Sequence, residues 1–170
     1  MIIPARYAII FLLLASVASG CRVQVDRPDE IAYPADAVGA EIPIRFEGAG
    51  DASLVVAVYV DDEGPFDMVV DTGATVTCVD QELVGTLDLD TRPGAALGAG
   101  AERTGRMEMV TLRSLRVGEV EAGGLTACVL DLEHIRGMGI AVHGLLGLNF
   151  LRAFRVTLDF ERGVMRLEQP

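Results

Sequence analysis

The stretch Phe66-Asp67-Met68-Val69-Val70-Asp71-Thr72-Gly73-Ala74-Thr75 runs from an apolar strand into a carboxylate and then into a tight turn. Gly73-Ala74 bends the chain before Thr75–Val79 (TVTCV) begins another short strand. A carboxylate at a strand end, on a tight turn and in apolar surroundings, is a candidate for acid–base work. Taken alone, Asp71-Thr72-Gly73 is also ordinary turn composition. Its weight therefore depends on its surroundings.

Working outward, the N-terminal side reads as a β-hairpin. Ser53–Val60 (SLVVAVYV) is rich in β-branched residues, Asp61-Asp62-Glu63-Gly64-Pro65 reads as the turn, and Phe66–Val70 returns into Asp71. Ile42–Phe46 is a short alternating run before it. On the C-terminal side Asp80 can cap a helical turn over Gln81–Leu87. Residues 91–106 are rich in Gly and Ala without hydrophobic pattern, and read as a mobile loop or a hairpin tip. Met107–Arg113 and Ser114–Val120 alternate as strands, and Leu125–Leu132 follows. Phe154–Phe160 and Val164–Glu168 flank Glu161-Arg162-Gly163 as a closing hairpin. Short strands at regular spacing predict an all-β sandwich or barrel.

About 70 residues beyond Asp71 comes Gly144-Leu145-Leu146-Gly147-Leu148-Asn149-Phe150-Leu151. Two apolar residues between glycines, then Asn and a short helical stretch, resemble the second signature of retropepsin-like (clan AA, retroviral-like) aspartic proteases. The order also matches that family: hairpin, Asp-Thr-Gly-Ala, short helix, Gly-rich loop, strands, Gly-apolar-apolar-Gly, helix, final strands. The resemblance covers nearly all of residues 41–170. It implies a retropepsin-like acid-protease barrel or sandwich with one or two short helices, and an aspartic endopeptidase activity on peptide or protein substrates. It implies Asp71 as the catalytic carboxylate and Thr72 as a hydroxyl locking two catalytic loops together. Gly73 would allow close backbone approach and donate its N–H to the carboxylate, and Ala74 would begin the substrate-facing turn. Gly144, Leu145, Leu146, Gly147 and Asn149 would pack behind the Asp loop, and Gly98 to Gly100 would fall at a flap tip. Two positions depart from the retroviral pattern: Thr75 stands where Asp is common, and Leu148 where Arg is common. Each removes a polar contact that would support the dimer or the loop.

Hydrolysis by this route needs two carboxylates sharing one proton, and no second Asp-Thr/Ser-Gly exists in the chain. The resemblance therefore implies a homodimer in which Asp71 meets Asp71 of the partner. The other aspartates, Asp51, Asp61, Asp62, Asp67, Asp80, Asp88, Asp90, Asp131 and Asp159, read as solvated turn or surface residues. His134 and His143 read as loop residues, since the mechanism needs no imidazole. Gly-x-Ser-x-Gly is absent, and Gly98-Ala99-Gly100 lacks the context of a dinucleotide loop. No metal or organic cofactor is implied. A catalytically silent envelope lipoprotein with the same fold, binding peptide or protein, is the alternative reading.

Residues 1–20 read as a signal peptide, with an ordinary secreted protein or an uncleaved anchor as lesser alternatives to a lipoprotein: Arg6 is followed by an apolar run, Tyr7–Ala18, short for a membrane span. Ala18-Ser19-Gly20-Cys21 resembles a bacterial lipobox, with Ala18 where Leu is usual. Cys21 is then the lipidation site, residues 21–40 a flexible tether, and 41–170 the folded domain. This places the protein outside the cytoplasm, membrane-anchored in a bacterial periplasm or cell envelope. Two thiols remain, Cys78 and Cys128. They could pair in an oxidising compartment, but nothing in the sequence brings their Cα atoms within bridging distance, and they read as unpaired buried residues. The net charge of −11 excludes nucleic acid as a natural partner. With aromatics at 5% and no Trp, the core must be aliphatic.

Overall fold

The computed structural model describes residues 28–32, 39–50, 53–94, 107–137 and 139–170. The leader, Cys21 and the Gly98–Gly100 stretch lie outside them. Twelve strands and three short helices follow in order: β1 (Glu30–Ala32), β2 (Ala40–Pro43), β3 (Arg45–Glu47), β4 (Ser53–Val60), β5 (Glu63–Val70), β6 (Cys78–Asp80), α1 (Gln81–Thr86), β7 (Thr91–Pro93), β8 (Glu108–Val117), β9 (Val120–Leu130), α2 (Glu133–Arg136), β10 (Gly144–Leu146), α3 (Leu148–Leu151), β11 (Arg155–Asp159) and β12 (Val164–Glu168). The fold is mostly β, as expected, with α2 as a third helical turn that no sequence pattern marks.

Six strands close on themselves in the order β9-β6-β10-β5-β4-β8, and the β8–β9 pairing completes the barrel. β1, β3 and β7 add to it, and β11-β12-β2 form a separate three-stranded sheet. The barrel interior is aliphatic: Val56, Val58, Met68, Val79, Leu112, Leu125 and Leu146 are buried, with Phe150 at one end. A smaller cluster, Val55, Leu132, Ile140 and Val142, sits where the segment after β9 packs over the outer faces of β4 and β5.

Several sequence expectations shift by a few residues, each for a local reason. The β4–β5 turn is only Asp61-Asp62, both at positive φ (50° and 70°), and Val60 pairs with Glu63. Two successive positive-φ residues match the right-handed twist of a hairpin, and Asp tolerates that region better than most residues. Gly64-Pro65 therefore belongs to β5 and not to the turn. Residues 107–120, read as two strands, contain one strand that runs unbroken to Val117, with the turn at Gly118-Glu119 (Gly118 φ 60°). The apparent break has a physical origin. Val110 and Leu112 are buried on one face of β8, but Leu115 and Val117 are buried on the other. The opposing strand has Gly123-Gly124 at the same level, Gly124 at φ 65°, which allows the hairpin to coil and exchange its buried face.

Glu30–Ala32, expected as tether, is instead a strand pairing antiparallel with Glu121–Gly123 of β9. Ala40, placed at the tether's end, already opens β2 against β12. Ile42–Phe46, read as one run, divides between the two sheets, with Ile42 in β2 and Phe46 in β3. Of the loop expected at 91–106, Thr91–Pro93 pairs with Glu108–Val110, and Gly94 N–H donates to Met107 O at 2.8 Å. The flanks are thus those of a hairpin.

Two aspartates are not solvated. Asp80 stands at the N-cap of α1 but makes no capping hydrogen bond. Its side chain is buried, accepts the Leu132 N–H at 3.3 Å and pairs with the Arg136 guanidinium. That carboxylate holds the Arg136 pKa above its usual value. A buried carboxylate needs such a partner, and this pair anchors α2 to the end of β6. Asp61 remains in its turn, but its carboxylate is largely covered, accepting the Ser114 N–H at 2.9 Å and the Arg113 Nε–H at 3.1 Å. On the second sheet Glu41 of β2 accepts from Arg166 of β12 and from Arg162 in the turn before it, and these cations lower its pKa.

The unpaired-cysteine reading is overturned. Cys78 and Cys128 form a disulfide with Cα atoms 4.4 Å apart, because β6 and β9 are parallel neighbours with the two cysteines in register. Their separation of 50 residues hides this from the sequence. Closing a loop of that length stabilises the folded state by about 4 kcal/mol in the chain-entropy account. Urea unfolding with and without a dithiol reductant should show a lower midpoint when reduced, and a Cys78→Ala/Cys128→Ala variant should unfold at the reduced midpoint regardless of reductant. An unchanged wild-type midpoint under full reduction would remove the staple's energetic role.

Candidate active site

Asp71 is the first residue after β5. Its position follows from the strand it ends: Met68 is buried in the barrel, Val69 faces the outer cluster, and the chain leaves the sheet at the barrel's rim. β10 lies beside β5 in parallel, with Gly144, Leu145 and Leu146 opposite Met68, Val69 and Val70, and beside β6 in antiparallel. The strand carrying the second motif is therefore inserted between the two strands that flank the Asp71 turn.

The turn is held from within and from behind. Asp71 Oδ1 accepts the N–H groups of Gly73 at 2.8 Å and Ala74 at 3.2 Å. Its own N–H donates to Leu146 O at 3.0 Å. Further on, Leu148 N–H donates to Ala74 O at 2.8 Å and Asn149 N–H to Thr75 O at 3.2 Å. Gly147 N–H donates to the Thr77 hydroxyl at 3.1 Å. Loop 71–77 is thus laid along residues 146–149 by a near-continuous ladder. Gly147 has no substitute here: a Cβ on it would lie 2.5–2.6 Å from the backbone of Val76 and Thr77. Gly144 is equally confined, a Cβ there standing 2.5 Å from Cys78 O.

Asp71 is half-buried, while Thr72 and Gly73 are exposed. Among the described residues, Asp71 Oδ2 and the Thr72 hydroxyl have no hydrogen-bond partner. One carboxylate oxygen is fixed by two backbone donors and the other is presented outward. That geometry suits a group that takes a proton from, or shares one with, something arriving from outside the chain.

Every described residue of the two motifs, Asp71, Thr72, Gly73, Ala74, Gly144, Leu145, Leu146, Gly147 and Asn149, lies in or directly behind this turn. Sequence patterns do not single out Thr77, although its buried hydroxyl joins the two motifs. A Thr in an otherwise apolar strand start is the only signal that points to it. His143 lies one residue before β10: its ring Nδ1 accepts the Asp67 backbone N–H at 3.2 Å, its backbone N–H donates to Asp67 O at 2.7 Å, and its ring lies against Phe66. Asp67 in turn binds Arg45 at 2.6 Å. These contacts tie β10 to β5 four residues before Asp71. Among the described residues no group of three or more His, Cys, Asp or Glu side chains is placed to hold a metal ion.

A closed barrel with an Asp-Thr-Gly turn backed by a Gly-Leu-Leu-Gly strand is the retropepsin-like fold, and the comparisons agree. Residues 56–150, more than half of the chain, match the family described as Aspartyl protease, and the chain belongs to that family. The structure is similar to the crystal structure of a retropepsin-like aspartic protease from Rickettsia conorii, with TM-score 0.52 and 19% identity over 81% of this chain and 91% of that one. That likeness establishes the fold. A looser one, to the retroviral protease-like domain of Ddi1 from Leishmania major (TM-score 0.45, 14% identity, 69% of this chain and 94% of that chain), adds nothing to it. No curated protein matches the chain.

The confinement of Gly147 yields a direct test. Gly147→Ala should destabilise the protein by about 3 kcal/mol or more, since the obstructing atoms are backbone. Gly85→Ala, at a helical position with nothing within 4 Å of the added Cβ, should be neutral or slightly stabilising. Equal urea midpoints for the two variants would contradict the tight loop packing.

Proposed function

We propose that this protein is an aspartic endopeptidase in which Asp71 supplies one carboxylate of a dyad and Asp71 of a second copy supplies the other. The observation that carries the reading is the state of the turn: Oδ1 is held by Gly73 and Ala74, while Oδ2 and Thr72 are left to face a partner. Two such turns brought together about a two-fold axis place like charges side by side, so the pair retains one proton. The ionised carboxylate takes a proton from a water, whose oxygen attacks the scissile carbonyl carbon. The protonated carboxyl gives its proton to the carbonyl oxygen, forming a tetrahedral diol. Collapse of the diol breaks the C–N bond: one carboxyl gives a proton to the leaving nitrogen, and the other carboxylate takes one from a diol hydroxyl, leaving the acid and the amine. Thr72 joins the two loops across the axis, over a cleft that takes an extended peptide.

The site is proposed to work outside the cytoplasm, on a chain anchored by a lipid on Cys21 in a bacterial envelope. The Cys78–Cys128 disulfide supports this compartment, because such bonds persist where the surroundings are oxidising. A Cys21→Ala variant should leave the membrane fraction, and the wild-type mature N-terminus should be a blocked, lipid-modified Cys21. A free α-amino group upstream of Cys21 in the membrane fraction would overturn the anchor.

The activity is tested with Asp71→Asn, which keeps an acceptor at Oδ1 but cannot share the proton. On an unfolded protein substrate at mildly acidic and neutral pH, cleavage should fall by at least about 10³-fold with the melting temperature close to wild type. Analytical ultracentrifugation of the active protein should show a dimer. Equal cleavage by the variant, cleavage by neither protein, or an active species that remains monomeric would each defeat the reading.

A further inference from the structure

Three polar or charged residues are buried as a whole among the described residues: Thr77, Asp80 and Asn149. Asp80 is satisfied by Arg136 and Leu132. Thr77 and Asn149 satisfy each other, and the chemistry allows one arrangement. The Thr77 hydroxyl accepts the Gly147 N–H at 3.1 Å, so its own proton goes to Asn149 Oδ1 at 2.8 Å. The same Oδ1 accepts the Thr77 N–H at 2.7 Å, which leaves Asn149 Nδ2 to donate to Thr126 O at 2.8 Å. Turning the amide over would set donor against donor at Thr77 and acceptor against acceptor at Thr126.

We propose that Asn149 is a positioning residue for Asp71, a role that rests on reading Asp71 as the catalytic carboxylate. Loop 71–77 begins at Asp71, whose N–H is fixed on Leu146, and ends at Thr77, which is fixed on Asn149. Between them Ala74 and Thr75 take N–H bonds from Leu148 and Asn149. Through Thr126 the amide refers the far end of the loop to β9. The disulfide spans the same gap one residue after Thr77 and two after Thr126. The disulfide sets the distance between the strands, and the amide sets the direction in which the loop leaves them. An apolar filler at either position would leave backbone groups among the Thr77 N–H, the Gly147 N–H and the Thr126 carbonyl buried without a partner. A fully satisfied network instead selects one orientation.

The test uses the full chain with Asn149→Asp, Thr77→Val and Thr77→Ser. In Asn149→Asp an ionised carboxylate faces the Thr126 carbonyl and repels it, whereas the protonated form donates to it and restores the bond. At neutral pH kcat should fall about 10- to 100-fold, the cost of a small misplacement of a reacting group, with KM within about threefold of wild type. The ratio of variant to wild-type kcat should rise again as the pH falls through the range where a buried carboxyl protonates, about 4 to 7. Thr77→Ser should keep wild-type kcat, and folded Thr77→Val should lose it as Asn149→Asp does at neutral pH. The amide resonances of Gly73 and Ala74, which report the bonds to Asp71 Oδ1, should shift in the impaired variants. A flat ratio across pH, a loss confined to KM, or unchanged kcat in folded Thr77→Val would overturn the proposal. Should the wild type cleave nothing, the catalytic reading of Asp71 fails separately. The Gly73 and Ala74 resonances then decide: pH-dependent movement in Asn149→Asp beyond that of the wild type upholds positioning, and identical movement in the two proteins refutes it.

Discussion

The insertion of β10 between β5 and β6 is the constraint on which the rest of the structure depends. A three-residue strand, Gly144–Leu146, completes the barrel through parallel bonds on one side and antiparallel bonds on the other. Without it the two strands flanking the Asp71 turn would have no common partner. Its continuation, residues 146–149, supplies the donors and acceptors that an irregular seven-residue loop cannot find in itself. A buried backbone without partners is costly, so the loop's conformation is dictated by the segment behind it.

That arrangement explains the residue types at the junction. Gly144 and Gly147 are required because neighbouring backbones come too close for any Cβ. Leu146 is fully buried and continues the aliphatic barrel interior, while Leu145 is only partly covered. Asn149 and Thr77 provide the polar contacts that aliphatic residues cannot. The result is a turn whose rear is rigid and whose front is bare. Asp71, half-buried, and Thr72, exposed, are held at the surface of a single chain, where another molecule can reach them.

Much of this architecture is legible in the residue pattern alone. A run rich in β-branched residues locates β4 to the residue, and the two glycine-bearing motifs locate the turn and its backing strand. The turn at Glu161–Gly163 between the final strands is equally plain. What the pattern does not show has a common cause. Cys78 and Cys128 are 50 residues apart and no local pattern connects them. Asp80 has the sequence context of a cap, but its carboxylate turns inward because Arg136, 56 residues away, is there to meet it. The alternation in β8 breaks at Arg113-Ser114 because the strand exchanges its buried face, a property of the coiled hairpin that a strand end imitates in sequence.

Sequence by itself thus determined most of the elements, the closing turn and the place of Asp71 in an Asp-Thr-Gly turn at the end of β5. These depend on neighbours within a few residues: side-chain alternation, φ preference, and the close approach that glycine alone permits. Tertiary structure decided which strands became neighbours, and with that the disulfide, the Asp80–Arg136 pair, the docking of Glu30–Ala32 and the Thr77–Asn149–Thr126 bridge. Periodicity reports that a residue has a buried face. Only the folded chain specifies which distant strand fills it, because that choice is settled by packing and hydrogen-bond satisfaction over the whole barrel at once.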